Sequence, residues 1–299
     1  MEKKEDGYKL GTIIKMARIY VPKIKMWVNQ KIIPQITELN TNGLEFIKYH
    51  EQYVRDYPLD EYDVIIEKSR MGSGKTQSIK RYLDEYNPKR VIIFSPRIIF
   101  SHNIMGEFAD YGFVNYKDKD VDLNKSDRVI CSVESIHRLM DAKKFDLVVV
   151  DEVETILSVF LSPTLKHIEK CIQTFTHMMT STKKILLLDA FISNKTVDFC
   201  QDLLSDKKVI LRVNEIEPVK RTAYMLPSSK AMIKKLKAKL ADGKKCVVAS
   251  ASNTFCRHIK EDLEQWMSEN GKTWKYYEGK TSDEVKRECL DTRSAWIVD

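Results

Sequence analysis

The chain has 299 residues, of which 43% are hydrophobic and 31% charged, and carries a net charge of +7. That length allows two domains with real cores, and that balance excludes a disordered chain. No apolar run approaches the ~20 residues of a membrane helix, and the opening MEKKEDGYKL lacks the apolar core of a secretory signal, so the expectation is an intracellular protein that is not secreted and has no membrane partner.

Taken in chain order, residues 1–60 mix apolar and basic residues at near-helical spacing, broken by Pro22 and Pro34. They predict a helical N-terminal extension of two or three short helices. Its basic positions (Lys15, Arg18, Lys23, Lys25, Lys31) read as a solvated face, with contact to a phosphate backbone as the alternative.

Residues 61–214 alternate short apolar runs with helix-like stretches. The runs are VII before residue 67, VIIF at 91–94, VICS at 129–132, LVVV at 147–150 and ILLL at 185–188. Runs buried on both faces and alternating with helices mark a parallel sheet in an α/β domain. Between the first run and the next helix lies Ser69-Arg70-Met71-Gly72-Ser73-Gly74-Lys75-Thr76. It fits a phosphate-binding loop, in which glycines let backbone N–H groups fold around phosphate oxygens. Lys75 would reach the β- and γ-phosphates of ATP, and the Thr76 hydroxyl would ligate Mg²⁺. Ser69 stands where the pattern has its first glycine. LVVV ends at Asp151 and Glu152, at the sheet edge where open α/β sheets bind ligands. Asp151 would hold the Mg²⁺, and Glu152 would accept a proton from the attacking water or orient it. Two further strand ends offer Ser95 with Arg97, and Ser132, Ser135 and Arg138, to a phosphate backbone. Asp189 ends another core strand and could link the carboxylate site to a neighbouring domain.

After Glu215 a second alternation begins: TAYML, a Lys-rich helix from Ser229 to Ala241, CVVAS, a helix over 254–270, and the strand WKYYEG. It predicts a second α/β domain over 215–299, with the boundary within 214–219. The cysteines (Cys131, Cys171, Cys200, Cys246, Cys256, Cys289) form no CxxC pair and read as reduced thiols. The dispersed histidines read as packing or surface residues.

In order, SRMGSGKT, FSPRIIF, CSVESIHRL, VVVDEVETIL, LLLDAFIS and VVASASNTF resemble the motifs of superfamily 2 helicases. They most resemble the herpesvirus origin-binding-protein type, which large DNA viruses also carry. The features nearest that branch are Met71 before Gly-Ser-Gly, Asp151 to Glu154 as the second motif, and Leu188 to Ala190 where most relatives carry Ser-Ala-Thr. The resemblance covers roughly residues 63–299. It implies a P-loop RecA-like domain with a parallel sheet, followed by a partial second RecA-like domain, with ATP between them and single-stranded nucleic acid across both. DNA is expected in preference to RNA, with replication proteins as partners, in host cytoplasm or nucleus if the chain is viral. Ser95, Arg97, Ser132 and Ser135 would map to strand-binding motifs of the first domain, and Ser250 and Ser252 to the fourth motif.

The family's last motif carries arginines that reach the γ-phosphate. The chain ends at TRSAWIVD, and Arg287 and Arg293 fall too early for that role. The expectation is therefore the N-terminal part of an ATP-dependent helicase or translocase of viral replication. The alternative is a catalytically incomplete, helicase-like protein whose grip on nucleic acid or a partner switches with bound nucleotide. A small-molecule kinase on the same loop fits the distant Asp-Glu pair and the second α/β alternation poorly.

Overall fold

The computed structural model describes residues 39–41, 43–96, 105–118, 121–162, 165–216, 226–250, 252–273 and 275–276. The chain divides into two compact units, Met1–Val219 and Lys220–Asp299.

The first unit is built on one eight-stranded sheet. Its strands are β1 (Glu45–Tyr49), β2 (Val64–Lys68), β3 (Val91–Ser95), β4 (Val114–Asn115), β5 (Arg128–Ser132), β6 (Leu147–Asp151), β7 (Lys184–Asp189) and β8 (Val209–Asn214). They lie in the order β1-β8-β2-β7-β6-β3-β5-β4, and every pairing is parallel. Helices α1 (Lys75–Tyr86), α2 (Val153–Val159), α3 (Ile168–Ser181) and α4 (Asn194–Leu203) connect them. Parallel neighbours need such crossovers, and the helices then cover both faces of the sheet.

All five predicted apolar runs are strands. Because successive side chains point to opposite faces, each strand feeds two cores. Ile66, Phe94, Val148, Val150 and Leu187 pack with Phe175 and Phe199 on one side. Ile65, Ile93, Val149, Leu186 and Leu188 pack with Ile79, Leu83 and Phe108 on the other.

Three strands add to the predicted set. β4 has two residues, too short for any periodicity to show. β8 is buried along its whole length, but Arg212 and Asn214 interrupt its apolar run. β1 lies within the segment expected to be helical, and residues 39–60 contain no helix among the described residues. Glu45–Tyr49 instead pairs in register with Ile210–Asn214, and only Tyr49 of that edge strand is buried. The predicted helices before residue 39, with their basic positions, lie outside the described residues.

In the second unit, α5 (Ser229–Ala241) and α6 (Asn253–Glu269) form as expected. Ile259, Leu263 and Met267 of α6 pack against Met232, Ile233, Leu236 and Leu240. Cys246–Ser250, expected to be a strand, forms none, and Val247 is 70% exposed. A strand needs a neighbour to satisfy its backbone; most of TAYML and of WKYYEG lies outside the described residues.

Candidate functional site

The sheet register gathers the site. Lys68 is opposite Asp189, and Leu188 is opposite Asp151, so β2, β7 and β6 end side by side. The loop Ser69–Thr76 leaves β2 at this edge and enters α1. Gly72 and Gly74 have φ of +75° and +81°, conformations that an L side chain adopts only with strain. The buried Ser69 does not disturb the turn: its N–H donates to the Asp189 carbonyl (3.1 Å), and its hydroxyl accepts from that of Ser73 (3.0 Å). Lys75 Nζ donates to the carbonyls of Ser69 (2.8 Å) and Arg70 (3.1 Å), spanning the loop. The first turn of the twelve-residue α1 carries no acidic residue, so its positive end is left uncompensated for an anion.

Facing the loop are three carboxylates. Burial raises Asp151 to about 6; Lys75 opposes that shift and Asp189 adds to it. Burial also raises Glu152, helped by Asp189 and Asp151 and opposed by Lys75. Glu152 has φ of +60°, an uncommon conformation for a residue with a side chain. Burial raises Asp189 too. Its Oδ1 accepts from Phe191 N (2.9 Å) and its Oδ2 from Glu154 N (3.0 Å). Both oxygens are thus engaged in fixing the start of α2 and the loop after β7. One lysine therefore sits opposite several carboxylates, a local excess of negative charge suited to a cation. Among the described residues no three His, Cys, Asp or Glu side chains converge as a metal-binding group.

The model of the family described as origin of replication binding protein matches residues 45–267. The chain belongs to that family. A protein of Acanthamoeba polyphaga mimivirus named for replication-origin binding is 27% identical over 251 residues, 79% of this chain and 30% of that protein. One of African swine fever virus, named for a helicase/primase complex, is 28% identical over 243 residues, 78% of this chain and 22% of that protein. The replication origin-binding protein of Psittacid herpesvirus 1 is 26% identical over 169 residues, 53% of this chain and 19% of that protein. This chain thus spans less than a third of the length of each of these relatives. Among solved structures, S. cerevisiae Dbp5 bound to RNA and ADP BeF3 aligns with a TM-score of 0.58 at 12% identity, over 79% of this chain and 64% of that one. What the two share is the fold, a RecA-like α/β domain on a parallel sheet.

In this chain the other predicted positions fall at several places. Ser95 and Ser132 are register partners at the ends of β3 and β5, and both are buried. The Ser132 hydroxyl has no hydrogen-bond partner among the described residues. Ser135 lies in the 3₁₀ segment Val133–Leu139, and Arg138 donates to the Tyr116 carbonyl. Arg97 is outside the described residues. Ser250 and Ser252 are exposed in the second unit, where the Ser252 hydroxyl caps α6 by accepting from Phe255 N (3.3 Å).

Two groups of residues at the site were not anticipated. Glu154 accepts from Ser193 N (2.9 Å), Ser193 Oγ (2.9 Å) and Thr196 Oγ1 (2.6 Å) and pairs with Lys195 Nζ (3.1 Å), binding the start of α2 to that of α4. Residues 50–58 cross the loop and the first turns of α1: Val54 N donates to the Ser73 carbonyl (2.8 Å), and Ser78 Oγ donates to the Val54 carbonyl (3.2 Å). The one sequence signal for this segment is Glu67, an acid that directly follows the apolar Val64–Ile66 within β2.

Proposed function

We propose that this chain binds ATP with Mg²⁺ on the loop Ser69–Thr76 and forms part of a replication helicase or translocase. The observation that supports this best is the loop itself, with its left-handed glycines leading into an uncompensated helix end beside Asp151 and Glu152. Backbone N–H groups of 70–76 and Lys75 would take the phosphates, and Lys75 would exchange its carbonyl partners for phosphate oxygens. Thr76 and Asp151 would hold the metal, the remaining positions going to phosphate oxygens and water. Mg²⁺, when bound, supplies neutralisation of phosphate charge. Glu152, left free by the role of Asp151 at the metal, would accept a proton from the attacking water or orient it. Ser95, Arg97, Ser132, Ser135, Ser250 and Ser252 are the proposed contacts to single-stranded nucleic acid. DNA is favoured over RNA because the viral relatives are named for replication origins. Other replication proteins are the proposed partners, in an infected cell's cytoplasm or nucleus. No helix among the described residues is long and apolar enough to cross a membrane.

The test is ATP binding and turnover by this chain with and without single-stranded DNA, beside Lys75→Ala. The expected result is ATP binding that Lys75→Ala weakens by about a hundredfold, since several charge-assisted contacts are lost at once. Turnover stimulated by DNA marks the helicase reading; binding without turnover marks the nucleotide-switched one. Wild-type affinity in Lys75→Ala overturns both.

A further inference from the structure

Beneath the segment 50–58 lies a charged pair that the proposed chemistry does not use. Glu67, two residues before the loop, is fully buried, and Arg212 of β8 is 4% exposed. Arg212 Nε pairs with Glu67 Oε2 at 3.1 Å, while Tyr49 Oη donates to Glu67 Oε1 at 2.5 Å. The rest of the guanidinium faces the irregular segment: Nη1 donates to the Asp56 carbonyl (2.8 Å) and Nη2 to the Arg55 carbonyl (3.2 Å). Its plane lies over Tyr49 and Tyr57.

A buried ion pair is a poor way to add stability, because desolvation offsets most of its attraction. This one is better accounted for by the direction of its free donors. Residues 50–58 have no helix or strand of their own, so their place is set by side chains and by bonds to neighbours. On one flank Asn214 takes both backbone groups of Glu51. On the other, Arg81 of α1 holds the Asp56 carboxylate (2.5 Å) and the Val54 carbonyl (3.3 Å). Arg212 grips the middle from below with a planar fork, which lysine cannot reproduce. What the segment then holds is the phosphate loop, through Val54 N on Ser73 O.

We propose that Arg212, fixed by the buried carboxylate of Glu67, is a positioning residue for the phosphate loop, acting through the strap of residues 50–58. This rests on reading Ser69–Thr76 as the nucleotide cradle. Loosening the strap frees the Ser73 carbonyl and lets the loop leave the shape that receives phosphate, and small misplacements at such a site cost as much as a hundredfold.

The experiment measures binding of ATP and of inorganic tripolyphosphate, together with hydrogen exchange at the Val54 amide, in the wild-type chain, Arg212→Gln, Arg212→Lys and Arg81→Gln. Arg212→Gln is expected to weaken both ligands by about tenfold and to speed exchange at Val54 while Ile65 and Ile66 of β2 stay protected. Arg212→Lys keeps the charge but not the fork and is expected to behave like Arg212→Gln. A folded Arg212→Gln, or Arg212→Lys, with wild-type affinity and Val54 protection overturns the proposal and leaves the pair a core feature. If Arg212→Gln does not fold, Arg81→Gln carries the test: a severalfold loss with faster Val54 exchange supports the strap, and no change in either overturns it. If the wild-type chain binds neither ligand, the nucleotide reading fails; slower Val54 exchange in the wild type than in the variants would still support the strap, and equal exchange would overturn it.

Discussion

Asp151 and Glu152 both sit where the fold itself would prefer something else. Burial lifts Asp151 from 3.8 to about 6, so the folded chain holds that proton more tightly than the unfolded one. The resulting stability is fully present below about pH 3.8 and is lost as the pH rises through 6. One side of Asp151 opens on the site, and we take the cost of its ionised form at neutral pH as about 1–2 kcal/mol. Asp151→Asn is therefore expected to raise the unfolding free energy by about that amount at pH 7 and by almost nothing at pH 3.5, in urea melts at the two pH values. An equal gain at both would point away from charge. At this scale residue type and spacing were informative about place: a strand, a loop and a helix in order put Lys75 at the sheet edge where β6 ends in Asp151 and Glu152. Asp189 was legible as a strand-end acid, but not its bonds to Glu154 N and Phe191 N, because nothing local in LLLDAFIS indicates what lies beside it.

Among the elements, α2 and α4 depend on one acid. Glu154 gathers Ser193, Thr196 and Lys195, and Lys195 Nζ also donates to the Glu154 carbonyl (2.7 Å) and to Ser158 Oγ (2.8 Å). Removing the carboxylate leaves a mostly buried ammonium short of its counter-charge. Glu154→Ala is expected to destabilise the first unit by about 3 kcal/mol, read as a lower denaturation midpoint with an unchanged slope; a change under 1 kcal/mol would show that the helices hold without it. Elements were legible where burial on both faces made the strand uniformly apolar, as in LVVV and ILLL. They were not where a buried strand carries charge, as β8 does with Arg212, or where an edge strand has one buried residue, as β1 does. The exposed Cys246–Ser250 shows the converse: β-propensity alone does not make a strand without a neighbour to pair with.

Over the whole molecule, the two units differ in how much they bury. The first encloses two cores, one on each face of its sheet. Among the described residues of the second, only Ile259, Leu263 and Met267 are buried. Three such side chains do little against the entropy of ordering two helices. Backbone amides of α6 are expected to exchange with solvent on the order of a hundredfold faster than those of β2 and β7, measured on the intact chain by mass spectrometry. Equal protection would mean that α6 draws stability from contacts beyond its own pair of helices. The thinness of the second core depends on which segments pack together and so had no local signature in the sequence.

The positive φ of Glu152 bears on how this chain can change over generations. Its left-handed backbone favours glycine or asparagine on conformational grounds alone, and a carboxylate persists there only while something selects for it. In a descendant released from that demand, position 152 should be among the first to drift, with glycine or asparagine the favoured arrivals. Sequencing of such lineages would then date the loss of the proposed chemistry by a substitution that improves the fold.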